Sequence, residues 1–439
     1  MQKNKFANNE QGMALIAVLL VLVVLTLLGM TIMGLAASNV KMTSGERNYQ
    51  STYYIAEAGL TAKLNEITSK VGLIYETTGE AGFFDAIEEF VGITIYDELF
   101  DRSFGHQPEA IVEISDTANT ITPFSKGYTI TSTGKIDNKS RTVQASLTIN
   151  WKPRSSIKLP PDTVLFTVSE LEMQLSNTQI QLDGNIVANG PIKATGNHRP
   201  PTEKLIENAN LGADIPNFPV FTIPLSAENW TADTLLLEED KAFNRIIVSQ
   251  DQTLTIDVGN RNRSILVDTL ELGTNGKINI VGSGKLAIYA KNIQMASGTV
   301  INVGGDINQL YLYLEGHGNE LNNGMIYGSI FAKNANLILG NSRGIQGHVI
   351  NLEGGIDFSS DSNVAKLIFA PNAEIFAKYS ITGTIIGRTF KTTGNDHQIV
   401  FKAANIDYEH SPFFIDDGVF DPTNLELMTV GPIREVSDW

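Results

Sequence analysis

The chain has 439 residues, 42% of them hydrophobic and 18% charged, enough apolar content for a large core and about two or three domains, which argues against disorder. Its net charge of -16 disfavours electrostatic binding of nucleic acid. It has no cysteine, so disulfides, thiolate metal sites and a cysteine nucleophile are all excluded.

The first element is an apolar run from Met13 to Ala37 without a charged residue. At 1.5 Å per residue it is roughly 37 Å long, which spans a hydrocarbon core of about 30 Å. A removed secretion signal needs a much shorter core. Lys3 and Lys5 precede the run, which predicts a single-pass protein with a cytoplasmic N-terminus and an exported remainder. Tyr49, Tyr53, Ala56, Leu60, Leu64, Ile67 and Val71 then recur at steps of three and four, one face of a helix. The reading is one long helix over 13–72, lipid-soluble first and amphipathic after. Residues 1–12 precede it as a polar head.

Residues 76–116 are acidic, with Arg102 as their single Lys or Arg. Phe83, Phe84, Ile87, Phe90 and Val91 fit a short amphipathic helix there. From about Ala110 to Trp151 the apolar period falls to two, in AIVEIS, YTITSTGKI and RTVQASLTINW. These predict antiparallel strands packed on the amphipathic half of the helix, a small α+β head over 73–155. KPRSSIKLPPD, residues 152–162, reads as a linker.

The stretch 163–405 is rich in Gly, Asn and short β-prone runs, and it repeats. The phrase at Ile288–Ile293 returns at Ile330–Ala335 and Ile368–Ala373, and a Gly-x-apolar-apolar phrase occurs at Gly184, Gly328, Gly347 and Gly383. The common unit of about 18–21 residues predicts a β-solenoid of some twelve coils, roughly 55 Å long at about 4.8 Å per coil. Residues 195–245 break the rhythm and read as an insertion. The tail 406–439 reads as a cap on the end coil. The fold class is therefore α+β followed by all-β: long helix, small antiparallel sheet, parallel β-helix.

Chemistry is sparse. Gly282-Ser283-Gly284-Lys285 lacks the spacing of a phosphate loop and reads as a solenoid corner. The histidines at 106, 198, 317, 348, 397 and 410 form no catalytic or metal motif. Asp416, Asp417 and Asp421 gather oxygens without calcium-loop spacing. Asp357 and Asp361 are the nearest approach to a carboxylate pair for polysaccharide cleavage. No metal, cofactor or catalytic set is expected, and the chain reads as structural rather than enzymatic.

Gln11-Gly12-Met13, the run ALIAVLLVLVVLTLLG and the phrase Tyr54-Ile55-Ala56-Glu57-Ala58-Gly59-Leu60 resemble the PilX-type subset of type IV pilin-like proteins. STGKIDNKSRTVQASLTI is similar to the strand pair after the long helix in minor pilins. IFAPNA and YGSIFAKNANLIL resemble the solenoid attached to some PilX-type proteins. The resemblance implies cleavage by a prepilin peptidase between Gly12 and Met13, methylation of the new amine, and packing of the helix among other pilins at the cell surface. The solenoid ligand stays unassigned. Major pilins carry Glu at the fifth mature position, and here that position is Ala17. A buried carboxylate without an amine partner is a cost, so the departure points to a minor pilin at or near a filament tip. An uncleaved membrane-anchored adhesin and a glycan-cleaving β-helix enzyme are the other readings.

Overall fold

The computed structural model describes residues 10–102, 106–117, 124–155, 157–174, 179–196, 199–212, 215–317, 321, 324–339, 344–358, 362–376, 379–392, 398–403, 411–415 and 427–436. Helix α1 (Glu10–Thr77) runs for 68 residues, roughly 100 Å. It contains no proline, and Leu, Ala and Met carry it through its glycines. Ala56, Leu60, Ile67, Val71 and Tyr75 on its second half are buried. Helix α2 (Glu80–Glu88) follows, with Phe83 and Ile87 buried.

The head sheet is antiparallel in the order β1 (Gly92–Tyr96), β2 (Glu109–Asp116), β3 (Ser125–Ile136), β4 (Lys139–Asn150). Strand β1 lies in the acidic stretch and was not foreseen; its neighbours match the alternation. Asp137, at φ 55°, forms the two-residue turn between β3 and β4, a geometry that Asp and Asn tolerate. Val112, Ile114, Tyr128, Ile130, Val143, Ala145, Leu147 and Ile149 close over the helix in one core.

The second body is a solenoid of parallel strands. One inward column joins Ile265, Ile288, Leu312, Ile330, Val349 and Ile368 by direct register. The steps are 23 and 24 residues to Leu312, then 18 and 19. The early coils are longer because their second face carries five-residue strands, Thr253–Asp257 and Lys277–Val281. These shrink to two residues at Val300–Ile301, Met325–Ile326 and Gly344–Ile345. The repeated phrases at 288, 330 and 368 therefore mark alternate coils.

Stacking order differs from chain order. The column continues from Ile368 to Ile385, then to Leu165, Ile186 and Leu205. The first coils in sequence thus stack on the last. Residues 207–227, among those described, return along the flank of the rod. Ala209 N–H donates to Ala188 O at 3.0 Å, Phe218 packs on Phe331, and Phe221 packs on Tyr289. The chain then starts the far end at Glu228–Trp230, which pairs with Lys241–Val248. The predicted insertion at 195–245 resolves into this strap plus regular coils on either side. Where the last and first coils meet, charges alternate. Glu374 sits 2.8 Å from Lys391, Lys391 is in register with Glu172, and Glu172 with Lys193. Half-exposed pairs add little energy, and this alternation is compatible with the observed stacking order.

Among the described residues the tail pairs with the head and its stem, not with the end coil. Met428–Val430 and Arg434–Val436 both pair antiparallel with β4, and Phe414–Ile415 pairs with Arg154–Ser155. A cap was expected because the tail leaves the solenoid rhythm. It leaves that rhythm because it belongs to the other body. The solenoid is thus inserted into the head, between β4 and its last strands.

Inside the rod, Lys366 occupies a level flanked by Gly347 and Gly383, and its side chain is buried. Its ammonium donates to Ile345 O at 3.0 Å, satisfying the last strand of the second face among the described residues. Burial holds its pKa down at about 8. Between about pH 8 and 10.5 the unfolded chain keeps this proton while the folded one has lost it, so stability rises with pH there by up to about 3 kcal/mol. Lys366→Met is expected to remove that rise, read as the difference in pH dependence of urea midpoints between the two proteins.

Candidate functional site

The first half of α1 stands clear of the body. From Met13 to Leu35 its large apolar side chains are 45% to 77% exposed, and it is long and apolar enough to cross a membrane. Its hydroxyls turn inward to the backbone: Thr26 donates to Leu22 O and Val23 O at 2.9 and 2.8 Å, and Thr31 to Leu28 O at 2.8 Å. Such a surface suits lipid or a bundle of like helices.

Where the helix enters the head, contact is backbone-close. A Cβ on Gly59 would lie 2.3 Å from Ala110 Cβ, and one on Gly134 of β3 would lie 2.1 Å from Thr52 O. Ala56 is fully buried beside them. The phrase Tyr54-Ala56-Glu57-Ala58-Gly59 therefore divides by face. Ala56 and Gly59 let the sheet approach, Glu57 is half-buried, and Tyr54 and Ala58 face outward. At the same neck Arg141 lies 5.0 Å over both Tyr49 and Tyr53. It donates to both carboxylate oxygens of Glu435, from Nε at 2.6 Å and Nη2 at 2.5 Å. The last described strand, Arg434–Val436, is thus clamped where the helix leaves the body. Further along, Glu66 sits 2.9 Å from Lys70 and accepts from Tyr96 of β1 at 3.1 Å. The Lys70 hydrogen bond, helped by Tyr96 and Lys63 against burial, holds its pKa at about 2.

The other end of the helix meets the rod. Tyr75 donates to Lys152 O at 2.8 Å, and Arg154 donates to Glu76 O and Thr78 O at 3.2 and 3.1 Å. A cation there complements the helix dipole. Rod residues that face outward form a second column: Leu266, Tyr289, Tyr313, Phe331, Ile350, Phe369, Ile386, Phe166 and Val187. All are buried in one cluster with the head core. Tyr289 and Tyr313 stack at 4.5 Å, Phe124 of the head meets Tyr313 at 5.7 Å, and Phe413 packs on Phe369 at 4.6 Å. Sequence reasoning missed this column. Its signal was present as apolar doublets, since a strand covered on both faces has no polar side.

Of the residues expected at the cleavage site and the fifth mature position, Gly12 lies in the first turn of α1, and Met13 and Ala17 are exposed further along it. Among the described residues no group of three His, Asp or Glu is placed to hold a metal. Asp357 is exposed on Ile356–Phe358; Asp361, Asp416, Asp417, Asp421, His198, His397 and His410 lie outside the described residues. His106 is 3.8 Å from Asp137, His317 ends a strand, and the buried His348 accepts from Leu367 N–H through Nδ1 at 3.0 Å. Gly282, at φ 101°, and Gly284 stack within 2.3 Å and 1.9 Å of the preceding corner, measured from a built Cβ, so this phrase is a solenoid corner.

Residues 11–61 match the family model described as PilX N-terminal. A search of curated proteins gives no match. Among solved structures the chain is similar to the competence-associated pilin ComZ from Thermus thermophilus. Identity is 9%, over 89% of this chain and 98% of that one, with a TM-score of 0.24, too low for any residue to be carried across. Residues 11–61, which match PilX N-terminal, thus lie on a helix joined to a small antiparallel sheet and a parallel β-solenoid.

Proposed function

We propose that this protein is a minor pilin-like structural subunit of a type IV pilus-type filament. The observation that carries the reading is the bare apolar segment Met13–Leu35, projecting from a head that buries one face of the same helix from Thr52 to Tyr75, within the span that matches PilX N-terminal. The segment holds the subunit in the membrane with its N-terminus in the cytoplasm, then packs among other pilins. A prepilin peptidase cuts between Gly12 and Met13, discarding the polar head and keeping the apolar run. Ala17 leaves no carboxylate for a neighbour's amine, which favours a place at or near the tip, with the rod displayed outward. The PilX N-terminal match supports a structural role.

N-terminal sequencing of protein from cells with and without the peptidase tests this. A start at Met13 that reverts to Met1 without the peptidase is expected. An intact Met1 in both would make the chain an uncleaved surface adhesin. Immunogold labelling of sheared filaments is expected at their ends, and even labelling along the shaft would overturn the tip position.

A further inference from the structure

The joint between head, strap and rod holds a cavity of about 670 Å³. Phe84 of α2 and Pro216 and Phe218 of the strap line it on one side, and Lys333, Glu353 and Asn372 on the other. These last three are exposed and stand on three successive coils, so they span roughly 10 Å at the spacing of parallel strands.

The residue types narrow the ligand. Lys333 is a donor only, Glu353 an acceptor only, and Asn372 both. Glu353 receives one bond, from Asn334 Nδ2 at 3.3 Å, and a carboxylate has capacity for more. Lys333 also lies 3.9 Å from Glu315, so the local charges sum to one negative and an anionic ligand meets no excess of opposite charge. A wholly apolar ligand would leave the donors and acceptors of Lys333, Glu353 and Asn372 without a partner on the ligand. A ligand with hydroxyls on one edge and C–H groups on its face uses all of these groups, with the C–H face laid on Phe84 or Phe218. We infer that the cavity binds a short neutral glycan of about two sugar rings. This names a ligand class for the displayed rod and so rests on that reading, but it requires no filament.

The test uses the full-length protein in detergent. Calorimetric titrations employ cello-, xylo-, malto- and chito-oligosaccharides of two to four units, with inorganic phosphate as the ionic probe. Saturable binding of at least one oligosaccharide series is expected, with none of phosphate. Glu353→Gln and Asn372→Ala, both at exposed positions, are expected to weaken it about tenfold each at unchanged thermal midpoint. Phe218→Ala weakens it further but also loosens the contact with Phe331, so the two polar variants decide. No binding across the panel, phosphate binding in place of sugar, or full affinity in the Glu353→Gln/Asn372→Ala double variant would overturn the inference. A mature start at Met13 would stand in any of these cases, so the two readings fail separately.

Discussion

A chain stopped after Asn405 is expected to lose the fold of its head as well as its rod. The deletion removes Met428–Val430 and Arg434–Val436 from β4, and Glu435 from Arg141. It also removes Phe413, fully buried between Phe331 and Phe369. Truncating a buried Phe alone costs about 3–5 kcal/mol, and domains hold only about 5–15 kcal/mol in total. With two ladder segments gone as well, the deletion exhausts that margin. Thermal unfolding of the detergent-solubilised protein, followed by circular dichroism, reads the result. A truncated chain that keeps a cooperative transition within a few degrees of the parent would restore the tail to the role of a rod cap. Phe413→Ala in the full chain separates the two contributions, since it leaves both tail strands in place.

Gly134→Ile is expected to drive the helix off the sheet. Its Cβ would fall 2.1 Å from Thr52 O and 2.5 Å from Ala56 N, both backbone atoms of a helix that cannot yield locally. The helix must lift, and Ala56, Leu60 and their partners in β2 to β4 lose contact together. The expected loss exceeds about 4 kcal/mol, in the range reserved for backbone clashes and core disruption. Gly72→Ala, on the same helix with nothing within 4 Å of its Cβ, is expected to gain about 0.5–1 kcal/mol. Urea unfolding of the two variants beside the parent gives both numbers. If Gly134→Ile unfolds at the parent's midpoint, the close approach is not what fixes the helix to the head.

The helix was legible because apolar residues at steps of three and four leave few alternatives over so long a span. β2, β3 and β4 were legible because their alternation is regular. The solenoid was legible from IYAKNI, IFAKNA and IFAPNA, although these mark every second coil. The coils at Leu312 and Val349 read LYLEGH and VINLEG, without the Ala-Lys-Asn or Ala-Pro-Asn of the repeated phrase, and hide the true step. Three things were not readable. β1 is a five-residue strand inside an acidic stretch, and GITIY has too few residues to stand out. The strap 207–227 follows the rod lengthwise, so it shows no coil period at all. The tail strands MTV and REV pair with residues nearly three hundred positions earlier, and such non-local pairing leaves no local trace. For the N-terminus, the long apolar run came from physical reading, whereas Gly12, Met13 and Ala17 gained meaning only through the family resemblance.

The rod is held by two strands that leave the head side by side. Arg154–Ser155 and Phe414–Ile415 run parallel and hydrogen-bonded, with the Lys152 ammonium 3.9 Å over the Phe414 ring. One stem continues from β4 and the other returns to it. Tension applied to the rod is therefore shared between two chains that enter the same central strand of the head, and it reaches α1 through Arg154 and Tyr75 at the helix end. A domain hung on a single terminal peptide would deliver the same pull to one point and peel its anchoring strand bond by bond. Here β4 is held by ladders on both edges, to β3 and to the tail strands, so bonds on both edges share the load between rod and helix.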